Sequence, residues 1–61
     1  MKFLKLPQVI SITGLSRSSI YLAISENRFP PQIPLGARSV VWVEAEIQEW
    51  MEQCVATRSN F

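Results

Sequence analysis

The 61-residue sequence contains no histidine and only one cysteine, Cys54. An internal disulfide is therefore impossible, and a structural zinc site lacks ligands. With no histidine to activate it, Cys54 reads as a small buried hydrophobe and not as a nucleophile. The glutamates show no pairing that suggests acid–base work. The two glycines, Gly14 and Gly36, stand far apart, so no glycine-rich phosphate loop exists. The expectation is a protein without catalysis, cofactor or metal. No apolar run approaches the roughly 20 residues needed to cross a bilayer. The apolar part of Met1–Pro7 is too short for a secretory signal. Together with a lone reduced thiol, this points to the cytoplasm and away from the membrane.

What is present is a high apolar content, 48%, which suits a packed core and argues against disorder. The length allows one domain. A chain this short buries only about 60% of its unfolded surface and is marginal alone. The net charge is +1, weakly basic overall but unevenly placed. Residues 1–43 carry Lys2, Lys5, Arg17, Arg28 and Arg38 against Glu26, a net of +4. Residues 44–61 carry Arg58 against Glu44, Glu46, Glu49 and Glu52, a net of −3. A basic front and an acidic back suit a protein that turns one side to a polyanion. The glutamates alone are equally compatible with a plain solvated helix face.

Punctuation divides the chain into four pieces. The first predicts a short helix over 7–13: Pro7 suits the first turn, Val9, Ile10 and Ile12 supply apolar faces, and Gly14 is a left-handed stop. The second predicts a helix over 17–26, with Ser16 as N-cap accepting from the backbone of Ser18 or Ser19. Ile20, Ala23, Ile24 and Asn27 share one face of it; Ser18, Tyr21, Leu22 and Ser25 share the other. Asn27 can end this helix in the left-handed region. The third piece, 32–43, predicts a two-stranded hairpin. Pro30, Pro31 and Pro34 forbid helix, Val40–Val43 are strand formers, and 36–39 is the connection. The fourth predicts an amphipathic helix over 44–56, with Ile47, Trp50, Met51 and Cys54 inward and Glu46, Glu49, Glu52 and Gln53 outward. Trp42 and Trp50 read as core. Residues 57–61 read as a frayed tail.

The turn is the informative place. Two short helices joined by Gly14-Leu15-Ser16 match the length of a helix-turn-helix. In the DNA-binding form the second helix enters the major groove, led by its N-terminal residues. Here those are Arg17 and Ser18, then Tyr21 and Leu22 one turn on, with Ser16 and the free helix N–H groups able to hold a phosphate. Arg17 could neutralise a phosphate or read guanine, and Leu22 could touch a thymine methyl. Arg38 and Ser39, in the hairpin connection, could reach phosphate or the minor groove. An ordinary αα corner without ligand has the same turn. What favours the groove is the mixed surface of Tyr21 and Leu22 beside Arg17 and Ser18.

Five stretches carry a family resemblance. They are Leu6-Pro7-Gln8-Val9, the run Thr13–Tyr21, Phe29-Pro30, the run Leu35–Trp42, and Glu46-Ile47-Gln48-Glu49-Trp50. Together, over about residues 4–55, they resemble the AlpA family of small phage and mobile-element regulators, related to winged-helix excisionases. The resemblance implies a mainly α fold with a small β-hairpin: a winged helix-turn-helix with a two-stranded wing and a C-terminal helix. It implies sequence-specific binding of double-stranded DNA, as a transcriptional regulator or as a recombination directionality factor for an integrase. By position, it makes Arg17 to Glu26 the recognition helix and Gly36 to Ser39 the wing tip. The chain departs from the pattern at Leu22-Ala23, where a basic residue is common, at Asn27, where glycine is usual, and at Val43 and Ala45, which predict a loose start to the last helix. With so few basic residues, several copies are expected to load on adjacent DNA repeats. The alternative reading is a protein-interaction module that binds an integrase or repressor through Glu46, Glu49 and Glu52.

Overall fold

A computed structural model of the chain describes residues 1–58. The order is β1 (Phe3–Lys5), α1 (Leu6–Thr13), α2 (Arg17–Ser25), β2 (Ile33–Pro34), β3 (Val40–Val43) and α3 (Glu44–Arg58). The three helices fall close to their expected places. The sheet differs from the expected two-stranded hairpin: it has three antiparallel strands in the order β1-β3-β2.

The added strand comes from the N-terminus. Phe3, Leu4 and Lys5 pair with Val43, Trp42 and Val41, so β3 is central and flanked on both edges. Three residues before a proline give almost no periodic signal, which is why the strand is hard to read from sequence. Its formation is driven by its middle residue. Leu4 alternates inward between exposed Phe3 and Lys5 and is fully buried opposite Trp42. The hairpin side is as expected. Ile33 and Pro34 pair with Val41 and Val40, and the Leu35 N–H donates to the Ser39 carbonyl at 2.8 Å, closing the connection.

Helix ends obey local chemistry. The Lys5 N–H ahead of α1 donates to Gln8 Oε1 at 2.8 Å. Gly14 ends α1 at φ +76° and donates its N–H to the Ile10 carbonyl, a conformation in which a Cβ is strained. Ser16 caps α2 by accepting from the Ser19 N–H at 3.2 Å. The far end of α2 is a Schellman motif. Asn27, at φ +58°, donates to Ile24 O, and Arg28 donates to Ala23 O; asparagine is among the few non-glycine residues that sit there readily.

The core gathers Leu4, Val9, Ile20, Ala23, Phe29, Trp42 and Ile47 from every helix, from β1 and β3, and from the segment after α2. Both indoles donate to backbone carbonyls, the usual way an indole N–H is satisfied in or beside a core. Trp42 Nε1 donates to Pro30 O at 3.2 Å, and Trp50 Nε1 donates to Arg28 O at 2.7 Å. Trp42 is fully buried as expected, whereas Trp50 is half-buried at the edge, stacked edge-on against Phe29.

Three expectations for the last helix are corrected. Cys54 is exposed and not buried, because the core is only deep enough for the first turns of α3. Ile47 is its one fully covered residue and Met51 its last half-covered one. The helix also does not start loosely. The Glu44 N–H donates to Lys2 O at 2.8 Å, and the Glu44 carboxylate pairs with Lys2 Nζ at 3.6 Å. Finally, α3 continues to Arg58, so Thr57 and Arg58 are helical and not frayed, with Thr57 Oγ1 bonded back to Gln53 O. The rest of the expected tail, 59–61, lies outside the described residues. Among those described, no helix is long and apolar enough to cross a membrane.

Candidate nucleic-acid interface

The two helices meet at the short Gly14-Leu15-Ser16 turn. Thr13 stiffens it by donating its hydroxyl to Val9 O and accepting from the Leu15 N–H. Leu15, half-buried, packs on the core between the helices. Ile20 and Ala23 anchor α2 from one side, which fixes what its other side shows. Ser16, Arg17, Ser18 and Leu22 are all exposed. Leu22 is 57% exposed, a large apolar side chain held in water by the helix that carries it.

Tyr21 departs from the expectation of full exposure. It is half-buried, with its ring edge-on to Trp42 at 6.5 Å between centroids. The Arg17 guanidinium lies 5.8 Å from the centre of the same ring, within reach of a cation–π attraction. Tyr21 therefore joins the core to the surface and steadies the arginine one turn before it.

The most informative geometry is a shallow groove of about 380 Å³ beside this turn. Arg17 and Tyr21 enter it from α2, Arg38 and Ser39 from the hairpin connection, and Lys5 from β1. Leu6, Pro7 and Val40 complete the lining among the described residues, none of which brings a carboxylate to it. Among the described residues, the other two basic side chains of 1–43 are spent on neighbours. Lys2 pairs with Glu44, and Arg28 with Glu26. Lys5, Arg17 and Arg38 have no acidic partner among the described residues. Of the residues expected to form the site, four line the groove: Arg17, Tyr21, Arg38 and Ser39. Ser16, Ser18 and Leu22 lie outside it, on the exposed face of α2 or its cap. Sequence reasoning missed Lys5. The missing signal was the strand pairing with Val41, which carries the N-terminus alongside the hairpin.

A second concavity, of about 540 Å³, shares no residue with the first. Its lining joins the Asn27–Pro31 segment to α3, with Phe29 and Trp50 as aromatic walls and Glu46 and Glu49 as its carboxylates. Neither glutamate has a basic partner among the described residues. Glu52 lies outside this lining. Among the described residues, no group of three histidine, cysteine or carboxylate side chains could hold a metal.

Among the described residues the architecture is thus a mixed one, three helices with a small antiparallel sheet, compatible with a helix-turn-helix carrying a wing. Comparison with known proteins makes the class specific. Residues 2–55 match the family model described as prophage CP4-57 regulatory protein (AlpA), and the chain belongs to the AlpA family. It is 44% identical over 59 residues to the uncharacterized protein ORF88 of Enterobacteria phage P4, spanning 97% of this chain and 67% of that one. It is 41% identical over 59 residues to the DNA-binding transcriptional activator AlpA of Escherichia coli K12, spanning 87% of this chain and 84% of that one.

Proposed function

We propose that this chain is a sequence-specific DNA-binding regulator of a prophage or mobile element, working as a winged helix-turn-helix. The observation that carries the reading is the convergence of three cations, without acidic partners among the described residues, from β1, α2 and the hairpin, beside an exposed helix face. Duplex DNA is a dense polyanion, and a basic groove flanked by an exposed helix face is the surface suited to meet it. The charge split of the sequence agrees, and so does a relative named as a DNA-binding transcriptional activator. Transcriptional regulation is the leading role; direction of excision with an integrase is the finer alternative within the same mode of binding. With three groove cations per copy, affinity per copy is modest, and several copies load side by side on repeats.

The test is a gel-shift titration with DNA from upstream of its own gene and from the ends of its host element, against scrambled competitor at two salt concentrations. Discrete, salt-sensitive shifts on the native DNA support the reading. Equal binding to scrambled DNA, or none, removes it.

The second concavity favours an accessory reading from another class. An aromatic wall beside two carboxylates without a basic partner among the described residues suits a lysine or arginine side chain of a protein partner, such as an integrase or a repressor. Its test is affinity for such a partner without DNA, lost in the Glu46→Gln/Glu49→Gln double variant.

A further inference from the structure

The groove also bears on how the work is divided over the DNA-facing surface, an inference that rests on the DNA-binding reading above. From sequence, Arg17 could equally read a guanine edge or hold a phosphate. We infer that Lys5, Arg17 and Arg38 form a single seat for the DNA phosphodiester backbone, so that Arg17 grips phosphate and base reading falls to Ser18 and Leu22.

Three observations carry this. First, the three cations come from three separate elements yet line one groove with no carboxylate in it among the described residues. Like charges gathered without counter-charge repel one another, and a ligand that relieves all three must itself be anionic at closely spaced points. A phosphodiester strand has that character; a base edge offers only neutral donors and acceptors. Second, Arg17 is held back over the Tyr21 ring, beside the groove. Tyr21 is in turn fixed against Trp42. Third, the remaining polar groups of the groove, the hydroxyls of Tyr21 and Ser39, have no hydrogen-bond partner among the described residues. Both can donate to phosphate oxygens. Ser18 and Leu22 stand outside the groove and are exposed on α2. They are free to meet base edges and a thymine methyl once the backbone is seated.

Lys5 is the new member of this seat. Its place follows from β1: pairing with Val41 sets the residue beside the strand that leads out of the hairpin. The N-terminal strand thus supplies a charge that the helix-turn-helix and the hairpin do not contain.

The experiment is a fluorescence-anisotropy titration of the full chain on two duplexes, the preferred site and its scrambled version, across a salt series. Lys5→Gln, Arg17→Gln and Arg38→Gln are each expected to weaken binding to both duplexes by the same factor. Each leaves the affinity ratio unchanged and lowers the slope of log affinity against log salt by about one. Ser18→Ala and Leu22→Ala are expected to lower the ratio and leave the slope alone. Circular dichroism confirms folding; because Lys5 is also the N-cap of α1, Arg38→Gln in the exposed connection supplies the same readout independently. A fall in the ratio for Arg17→Gln shows that Arg17 reads a base and overturns the assignment. So does an unchanged slope for Lys5→Gln and Arg38→Gln. Equal loss of affinity for inorganic phosphate and for DNA, with no dependence on duplex length, makes the groove a free-anion site and overturns it as well. A parent chain that binds neither duplex refutes the DNA reading itself, a result separate from all of these.

Discussion

Leu4→Ala is the sharpest test of the fold, because sequence periodicity assigns residues 1–5 no structural role and the structure makes Leu4 part of the core. Leu4 is 2% exposed and lies opposite the fully buried Trp42 across the β1–β3 pair. Truncating a buried leucine costs about 2–5 kcal/mol, through lost transfer energy and the cavity left behind. A domain of 61 residues has a total stability of about 3–9 kcal/mol at the usual per-residue value. The variant therefore loses between about a quarter and all of its stability. Urea unfolding followed by tryptophan fluorescence reads the loss directly. With a slope of about 1 kcal/mol per molar for so small a domain, the midpoint falls by about 2 M or more. Phe3→Ala is the internal control. Phe3 is 43% exposed on the other side of the same strand, and its loss is about 1 kcal/mol. If the two variants shift the midpoint equally, β1 is not docked through Leu4, and the case for Lys5 in the groove falls with it.

Further perturbations address single features. Gly14→Ala meets no atom within 4 Å but forces a Cβ onto a residue at φ +76°; a loss of about 1 kcal/mol in chemical denaturation is expected from backbone strain alone. Ser16→Ala removes the acceptor for the Ser19 N–H and is expected to cost about 1 kcal/mol by the same assay. Glu44→Gln breaks an ion pair whose lysine side chain is 67% exposed, so any change beyond about 1 kcal/mol contradicts its reading as a surface bridge. Tyr21→Ala removes both the ring under Arg17 and the contact with Trp42. It is expected to lower thermal stability and DNA affinity together, whereas Leu22→Ala leaves the melting temperature unchanged.

How much was legible in the sequence depends on how local each signal is. The caps at Gly14, Ser16 and Asn27 are chemical statements by single residues, and the helices they bound are where they were expected. The proline-rich third piece and the Val40–Val43 run make the hairpin equally plain. Long-range pairing is what pattern cannot show. β1 owes its existence to Leu4 meeting Trp42, 38 positions along the numbering, and nothing in three N-terminal residues announces that. The same gap explains Lys5, whose role depends on where β1 docks. Cys54 was misplaced for a related reason. Its spacing after Ile47 and Met51 continues the apolar stripe, but the stripe outlasts the core that covers it. Tyr21 shows the converse: its face is polar by neighbours, yet the ring reaches inward to Trp42.

The central claim is that the groove of Lys5, Arg17 and Arg38 and the exposed face of α2 together meet DNA. Amide NMR spectra of the nitrogen-labelled chain, titrated with the duplex from upstream of its gene, test it most directly. The account predicts shifts gathered at Lys5, at 16–18, at 21–22 and at 38–39, with Glu46 and Glu49 undisturbed. Shifts gathered instead along the outer face of α3, or none at any residue, contradict it.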